Sequence, residues 1–181
     1  MMNRVISAID NGILFLCVAN SARSQMAEGI ARGLFGAAIR VQSAGSKPAR
    51  VHPLAVEVMK EIGVDISGQR AKSINDVDMS CVSLVVTLCT DEVCPLRGSP
   101  SLHLHWFLPN PAIHRADQLD VDSFRKTRDE LVSRIGMLHR EYLGLPELRI
   151  ARKAVPALSG GSRLFAPFRR LVWKRVASAA V

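Results

Sequence analysis

Cys17 and Arg23, six positions apart, are the residues of this 181-residue chain whose types and spacing most favour chemistry. Cys17 follows the apolar run "ILFL", and only "VANSA" separates it from Arg23. A loop of small residues lets backbone N–H groups turn toward a tetrahedral anion, and a helix beginning near Arg23 adds its dipole. The positive field lowers a thiol pKa, and arginine clamps an oxyanion with two hydrogen bonds. The pattern predicts a nucleophilic thiolate in an oxyanion cradle, with a small buried core cysteine as the alternative.

Alternating strands and helices are expected to position these residues. We predict strands over "ILFLC", "IRVQSAG", "CVSLVVTLC" and "LHLHW", and helices over "SQMAEGIARGLFG", "HPLAVEVMKEIG" and "DSFRKTRDELVSRIGMLHREYLG". Such alternation implies right-handed crossovers, hence an α/β fold with a four-stranded parallel sheet and helices on both faces. The active crevice of such a fold lies at the carboxyl ends of the strands, where Cys17 falls.

The basic charge of the chain is concentrated at its C-terminal end. The formal net charge is +8, yet every acidic residue lies at or before Glu147 and eight basic residues follow from Arg149 onward. We therefore expect one domain over residues 1–145, followed over 146–181 by a linker and a basic tail. The tail suits an amphipathic helix on an anionic membrane or a partner, or an extension without a role in the chemistry. No nucleic-acid reading motif accompanies the charge, so nucleic acid is not an expected partner.

Cysteine usage and the absence of export signals favour the cytoplasm. The N-terminal segment has no signal-peptide pattern, and no apolar run approaches the roughly 20 residues of a membrane span. In a reducing compartment, the four cysteines favour catalytic or redox roles over a disulfide framework. Their spacing fits no tetrahedral zinc site, so we expect neither a metal nor a cofactor.

The stretch "CVANSARSQMAEG" resembles the phosphate-binding loop of the low-molecular-weight protein tyrosine phosphatase fold. Within that fold it is most similar to thioredoxin-coupled arsenate reductases, and the likeness continues through "VQSAG", "LVVTLC" and "LHWFLPNPA", over about residues 12–142. The resemblance implies that Cys17 is the nucleophile, that Ser24 assists its thiolate and that Asn20 holds the loop in shape. The implied oxyanion-binding residues are Val18, Ala19, Asn20, Ser21, Ala22 and Arg23.

Two further cysteines bear on the choice between a reductase and a phosphatase. Arsenate reduction needs a second thiol to release arsenite as a disulfide forms, and a third can carry that disulfide to a reductant. The segment "LCTDEVCP" supplies Cys89 and Cys94, which the resemblance assigns as the resolving thiol and the outer thiol reduced by thioredoxin. The alternative is that both are incidental. Cys81, at the start of the predicted third strand, is expected to be structural.

Asn110 departs from the family pattern. Relatives usually carry Asp-Pro after the fourth strand, with the Asp as general acid, whereas this chain reads "LPNPA". An acid–base group contributes about 10²–10⁴-fold to the rate, so its loss should harm ester hydrolysis most. His103, His105 and His114 lie nearby in sequence as candidate proton donors, although surface histidines without a catalytic role are the preferred interpretation.

Lys72 is a second departure. In some relatives an Asp at this position helps bind an alkali cation that supports the loop through an Asn and a helix Glu, here Asn20 and Glu28. A lysine could supply that positive charge itself, which agrees with the expectation that no metal is required; a solvated surface lysine is the alternative.

These features together predict a cytoplasmic enzyme of arsenical resistance that reduces arsenate to arsenite through a redox-active disulfide, with thioredoxin as reductant. Phosphate or sulfate would bind as analogues of arsenate. A low-molecular-weight protein tyrosine phosphatase is the first alternative. The second is an oxyanion- or partner-binding protein that lost efficient turnover when Asn110 replaced the acid.

Overall fold

The computed structural model describes residues 12–89, 102–113 and 120–142, in which strands and helices alternate. The strands are β1 (Ile13–Cys17), β2 (Val41–Gly45), β3 (Leu84–Thr87) and β4 (Leu102–His105), and the α-helices are α1 (Arg23–Phe35), α2 (Pro53–Glu61) and α3 (Val121–Tyr142). Short 3₁₀ helices over Gly36–Ala38, Ile74–Asp76 and Met79–Cys81 lie in the connections.

The strands form one parallel sheet in the order β2-β1-β3-β4. Strand β1 pairs with β2 on one side and with β3 on the other, and all residues of β1 and β3 are buried. Central parallel strands are apolar throughout because both of their faces are covered. The carboxyl ends of β1 and β3 therefore lie side by side at one edge of the sheet.

Apolar clusters cover both faces of the sheet. On one face, Phe15 and Val86 pack against α1, α2 and α3, and Phe124 and Leu131 of α3 are fully buried there. On the other face, Leu14, Leu16 and Val85 pack against the segment that carries the 3₁₀ helices Ile74–Asp76 and Met79–Cys81. The predicted α/β class and the four-stranded parallel sheet with helices on both faces are confirmed.

Helix boundaries follow local capping chemistry. Pro53 occupies the first turn of α2, where its missing N–H costs nothing, and His52 Nδ1 accepts a hydrogen bond from Leu54 N. Gly63 follows the helix with φ of 78°, a conformation that glycine adopts without steric cost. The predicted helix "HPLAVEVMKEIG" ends at this glycine.

The third strand is shorter than the sequence predicted. The run "CVSLVVTLC" predicts a strand from Cys81 to Cys89, whereas β3 covers only Leu84–Thr87. Cys81 ends a 3₁₀ helix because the Asp78 side chain accepts a hydrogen bond from Ser80 N and holds a turn there. Cys89 lies just beyond the end of the strand.

Several expectations lie outside the described residues. These are the linker and basic tail over 146–181, Cys94 and His114. The domain boundary near residue 145 accordingly stays a prediction. Within the segments that the structure describes, no helix combines the length and apolarity needed to cross a membrane.

Candidate active site

Gly45, at the end of β2, allows the chain after Cys17 to fold close over the sheet. Cys17 is the last residue of β1 and lies opposite Gly45 in the register. A Cβ atom on Gly45 would lie 2.4 Å from Val18 O and 2.8 Å from Asn20 N. Only a glycine fits against a backbone at this separation, so β2 and the loop after Cys17 are matched in shape.

The carbonyl groups of this loop accept hydrogen bonds from outside it. Val18 O accepts from Lys47 N at 2.9 Å, Ala19 O from Ala49 N at 2.8 Å and Ser21 O from His52 N at 2.8 Å. Asn20 O accepts from Gln25 Nε2 at 3.1 Å. In a trans peptide the N–H points opposite to the carbonyl of the same unit, so the next four amides, Ala19 through Ala22, are turned the other way. The loop thus forms a concave set of N–H donors, which is an anion-binding arrangement.

Arg23 begins α1 at this concave loop. Ala22, the residue before the helix, makes no side-chain cap, and the Ser24 N–H at the helix N-terminus donates to Cys17. Arg23 is buried, with 9% of its surface exposed, and its Nη1 donates to Leu88 O at 3.2 Å and Leu108 O at 2.9 Å. These two carbonyls follow β3 and β4, so the guanidinium is held by the ends of neighbouring strands.

Asn20 lies behind the loop and orients two serines. It is fully buried, with φ of 45°, a left-handed conformation that asparagine tolerates better than most residues. Its Nδ2 donates to Ser24 Oγ at 2.8 Å and Ser43 Oγ at 2.9 Å, and its Oδ1 accepts from Lys72 N at 2.7 Å. Because Ser24 Oγ accepts from Asn20, its own hydrogen is available to Cys17 Sγ, 2.9 Å away.

The pKa values of Cys17 and Cys89 are shifted in opposite directions, so that Cys17 carries the negative charge. The Cys89 thiol donates to Cys17, and Ser24 and the Arg23 charge add to its effect, lowering the pKa of Cys17 to about 6 despite burial. The same hydrogen bond, together with burial, raises the pKa of Cys89 well above its ordinary value. Val18 N also donates to Cys89 Sγ, at 3.2 Å, so this amide faces the second thiol. Near pH 7 the site therefore holds one thiolate and one thiol.

Both cysteines open into a cavity of about 1130 Å³. Its walls include the loop after Cys17, Arg23, Asn110 and the beginning of α3 with Asp120 and Arg125. Hydrogen bonds from Ser123 and Asp122 N hold the pKa of Asp120 below its ordinary value. Asp120 is thus an ionised carboxylate near neutral pH and not a ready proton donor.

Asn110 lies on the rim of this cavity, exposed to solvent. Its Oδ1 accepts a hydrogen bond from Ala112 N at 3.2 Å, an Asx turn that an aspartate would form equally well. Asn110 thus keeps the turn that an aspartate would support but has no carboxyl proton to give.

Lys72 lies against the buried carboxylate of Glu28. Lys72 Nζ is 3.2 Å from Glu28 Oε2, and Arg32 Nη2 is 2.6 Å from Glu28 Oε1. Ser43 Oγ donates to the same carboxylate. Glu28 is 1% exposed, so a charged partner is needed to offset its desolvation. Among the described residues, no cluster of three or more His, Cys, Asp or Glu side chains could hold a metal ion.

Several predicted residues lie apart from the cavity, and two contributors were not predicted. His103 and His105 occupy the exposed face of β4 and do not line the cavity. Cys81 donates to Asp78 Oδ2 at 3.4 Å beside its 3₁₀ helix, also away from the cavity.

Two residues that hydrogen-bond to Asn20, Ser43 and Gln25, are not among the predicted site residues. A polar residue in an otherwise buried strand could have indicated Ser43.

This fold and this loop define a class of protein. The chain belongs to the low molecular weight phosphotyrosine protein phosphatase family, whose model matches residues 12–145. The chain is 43% identical over 128 residues to an arsenate reductase from Halalkalibacterium halodurans, and the match covers 68% of this chain and 91% of the relative. The resemblance predicted from the sequence is confirmed.

The chain is also similar to solved structures of arsenate reductases. An arsenate reductase in the phosphate binding state is 33% identical, with a TM-score of 0.64, and the match covers 73% of this chain and 98% of that one. A thioredoxin-dependent arsenate reductase from Corynebacterium glutamicum is 29% identical, with a TM-score of 0.60, covering 78% of this chain and 66% of that one.

Proposed function

We propose that this protein reduces arsenate to arsenite through Cys17 and Cys89, with thioredoxin as the final reductant. The observation that carries the proposal is that two thiols lie together at the cavity: Cys17 and Cys89 both line it, and the Val18 amide next to Cys17 donates to Cys89 Sγ at 3.2 Å. Hydrolysis of a phosphate ester needs one nucleophile and water, and has no use for a second thiol at that position. Reduction of arsenate requires that second thiol, because it must attack the sulfur of the first.

The first step of the proposed reaction joins Cys17 to arsenic. Arsenate binds the N–H groups of the loop and Arg23, the Cys17 thiolate attacks arsenic, and an arsenic-bound oxygen leaves as water. Arsenic is still pentavalent in this adduct. The low pKa of Cys17 supplies the thiolate at neutral pH, and the positive end of α1 offsets the charge of the bound oxyanion.

The second step transfers two electrons. Cys89 attacks the sulfur of Cys17, the S–As bond breaks with its electron pair going to arsenic, and arsenite leaves as a Cys17–Cys89 disulfide forms. The raised pKa of Cys89 is due first to its hydrogen bond to the Cys17 thiolate. Adduct formation removes that thiolate, so the pKa of Cys89 falls when its thiolate is needed.

Cys94 is proposed to complete the cycle. Its thiolate attacks Cys89, releasing reduced Cys17 and forming a Cys89–Cys94 disulfide that the dithiol of thioredoxin reduces by exchange. The similar Corynebacterium glutamicum enzyme is thioredoxin-dependent, which supports this reductant. Such a cycle fits the reducing conditions of the cytoplasm, where we place the protein.

The test is arsenate-dependent oxidation of NADPH with thioredoxin and thioredoxin reductase. The unaltered chain should support turnover, Cys17→Ser and Cys89→Ser should abolish it, and Cys81→Ser should leave it unchanged as the matched control. Turnover that survives in Cys89→Ser would overturn the two-thiol mechanism.

A phosphatase is the second candidate because the family model that matches the chain is that of a phosphotyrosine phosphatase. An aryl-phosphate assay run on the same preparations separates the two. Strong hydrolysis without arsenate-dependent oxidation would favour the phosphatase. Oxyanion binding with neither activity would favour a binding protein.

A further inference from the structure

Two histidine rings lie side by side on strand β4, away from the thiol cavity. The strand alternates half-buried Leu102 and Leu104 with exposed His103 and His105, so both imidazoles project from one face. Their ring centroids are 4.6 Å apart and their planes are inclined by 35°. Strand β4 ends the sheet order, and neither ring lines the cavity that holds Cys17.

This spacing suits two nitrogen ligands on one metal ion. First-row divalent ions bind imidazole nitrogen at about 2.0–2.1 Å, which places two neighbouring ligand nitrogens about 3 Å apart. Rings whose centroids are 4.6 Å apart reach that separation when they turn their edges toward a common point. Imidazole suits zinc, copper and nickel, whereas magnesium and calcium prefer oxygen.

Thr87 holds one of the two rings through a short hydrogen bond. Thr87 Oγ1 donates to Leu104 O at 3.4 Å and lies 2.6 Å from His105 Nδ1. When the Thr87 hydrogen is directed to Leu104 O, the His105 Nδ1–H donates to Thr87 Oγ1 and the lone pair of the ring lies on Nε2. Metal-binding histidines characteristically donate their other N–H to such an oxygen, which orients the ring.

An aromatic ring also restrains the histidine pair. Phe107 stacks on the far side of His105, with centroids 5.9 Å apart, and limits the directions that the His105 ring can take.

We propose that His103 and His105 form a surface site for one first-row divalent ion of the zinc, copper or nickel class, bound through two imidazoles. Among the described residues, no third His, Cys, Asp or Glu joins them. The site is independent of the proposed arsenate chemistry because its residues lie outside that cavity.

The test is a titration of the reduced full-length protein with zinc chloride, followed by the ¹⁵N and ¹H signals of the histidine rings. Zinc bound to cysteines elsewhere would not shift these signals in this way. We expect the His103 and His105 signals to move together along one saturable curve, with a change at His105 Nε2. The His139 ring, which packs on Phe35, serves as the internal control and should not move.

Three variants test the geometry. His103→Gln and His105→Gln should each weaken zinc binding and abolish the shift at the remaining ring. Thr87→Val, which keeps the shape but removes the acceptor, should weaken binding about 10–100-fold, and Thr87→Ser should restore it. Thermal melts confirm that each variant is folded, and the two exposed glutamine variants test the proposal even where Thr87→Val is unstable.

Two results would overturn the proposal. One is the absence of any shift at His103 and His105 while zinc is in large excess over the protein. The other is an unchanged zinc shift at His103 in His105→Gln, since this would mean that the rings bind separately and form no joint site.

Discussion

The Ser24 hydroxyl donates to Cys17 because its oxygen already accepts a hydrogen bond from Asn20 Nδ2. Asn20 Nδ2 donates to Ser24 and to Ser43, so the direction of both serine hydroxyls is set by one buried amide. At the scale of single residues, the reactivity of Cys17 depends on this chain of hydrogen bonds as much as on the nearby charge of Arg23.

Ser24→Ala should raise the pKa of Cys17 from about 6 by about one to two units, because a hydrogen bond to a charged group contributes about 1.5–3 kcal/mol. The sign follows from the loss of a donor that stabilises only the thiolate. The measurement is the rate of Cys17 alkylation by iodoacetamide from acidic to alkaline pH, followed by mass spectrometry of its peptide. Ser67→Ala, on the exposed surface, is the control and should leave the profile unchanged.

Asn110→Asp should restore a proton donor at the rim of the cavity. We expect aryl-phosphate hydrolysis to rise at least about tenfold, since one acid–base group contributes about 10²–10⁴-fold. Arsenate turnover should change less, because the oxygen that leaves arsenic takes a proton more readily. Steady-state assays of both reactions on the same preparation measure the ratio. Equal gains in both would contradict the role assigned to this position.

At the scale of elements, the site depends on how closely the loop after β1 approaches the end of β2. Gly45→Ala would place a Cβ atom 2.4 Å from Val18 O, so the loop must move. We expect the Kd for phosphate to rise at least about tenfold, because misplacement by about 1 Å removes alignment from several donors together. Calorimetric titration measures this. Gly68→Ala is the matched control, since its Cβ would meet open space.

Lys72 lies just before the 3₁₀ helix Ile74–Asp76, and its side chain reaches the buried carboxylate of Glu28. Because Lys72 and Arg32 both lie within ion-pair distance of this carboxylate, the chain supplies the compensating charge itself. Arsenate turnover should therefore be the same in potassium, sodium or tetramethylammonium buffers. A selective gain in potassium would contradict this.

The ion pair between Lys72 and Glu28 should also stabilise the folded protein. Lys72→Met should lower the free energy of unfolding by about 1 kcal/mol, a modest value because Lys72 is partly exposed and Arg32 remains. Lys60→Met, on the exposed face of α2, is the control. Denaturant unfolding of both variants beside the unaltered chain measures the difference.

At the scale of the whole molecule, the predicted boundary near residue 145 separates a nearly neutral domain from a basic tail. A chain that ends at residue 145 should keep its kcat/KM for arsenate, because the described site draws only on residues before that point. Sedimentation with anionic vesicles should detect binding by the full chain and none by the shortened one. Loss of turnover on truncation would show that the tail contributes to the site.

The outline of the fold could be predicted because apolar runs and glycine stops act locally. The beginning of β3 could not, since the turn held by Asp78 interrupts a run that looks continuous in the sequence. The contact between Cys17 and Cys89 depends on β1 and β3 being neighbours, a fact of sheet order that no local pattern contains. The hydrogen bond from Asn20 to Ser43 likewise depends on tertiary structure and not on local sequence.

The position of the two thiols on neighbouring strands also decides what happens when an oxidant arrives in place of a substrate. Peroxide would convert the Cys17 thiolate to a sulfenic acid, the first product on the path to irreversible oxidation. Cys89 lines the same cavity and can condense with it, releasing water and forming a disulfide that a thiol reductant reverses. The arrangement that would release arsenite would thus also protect the nucleophile from lasting damage.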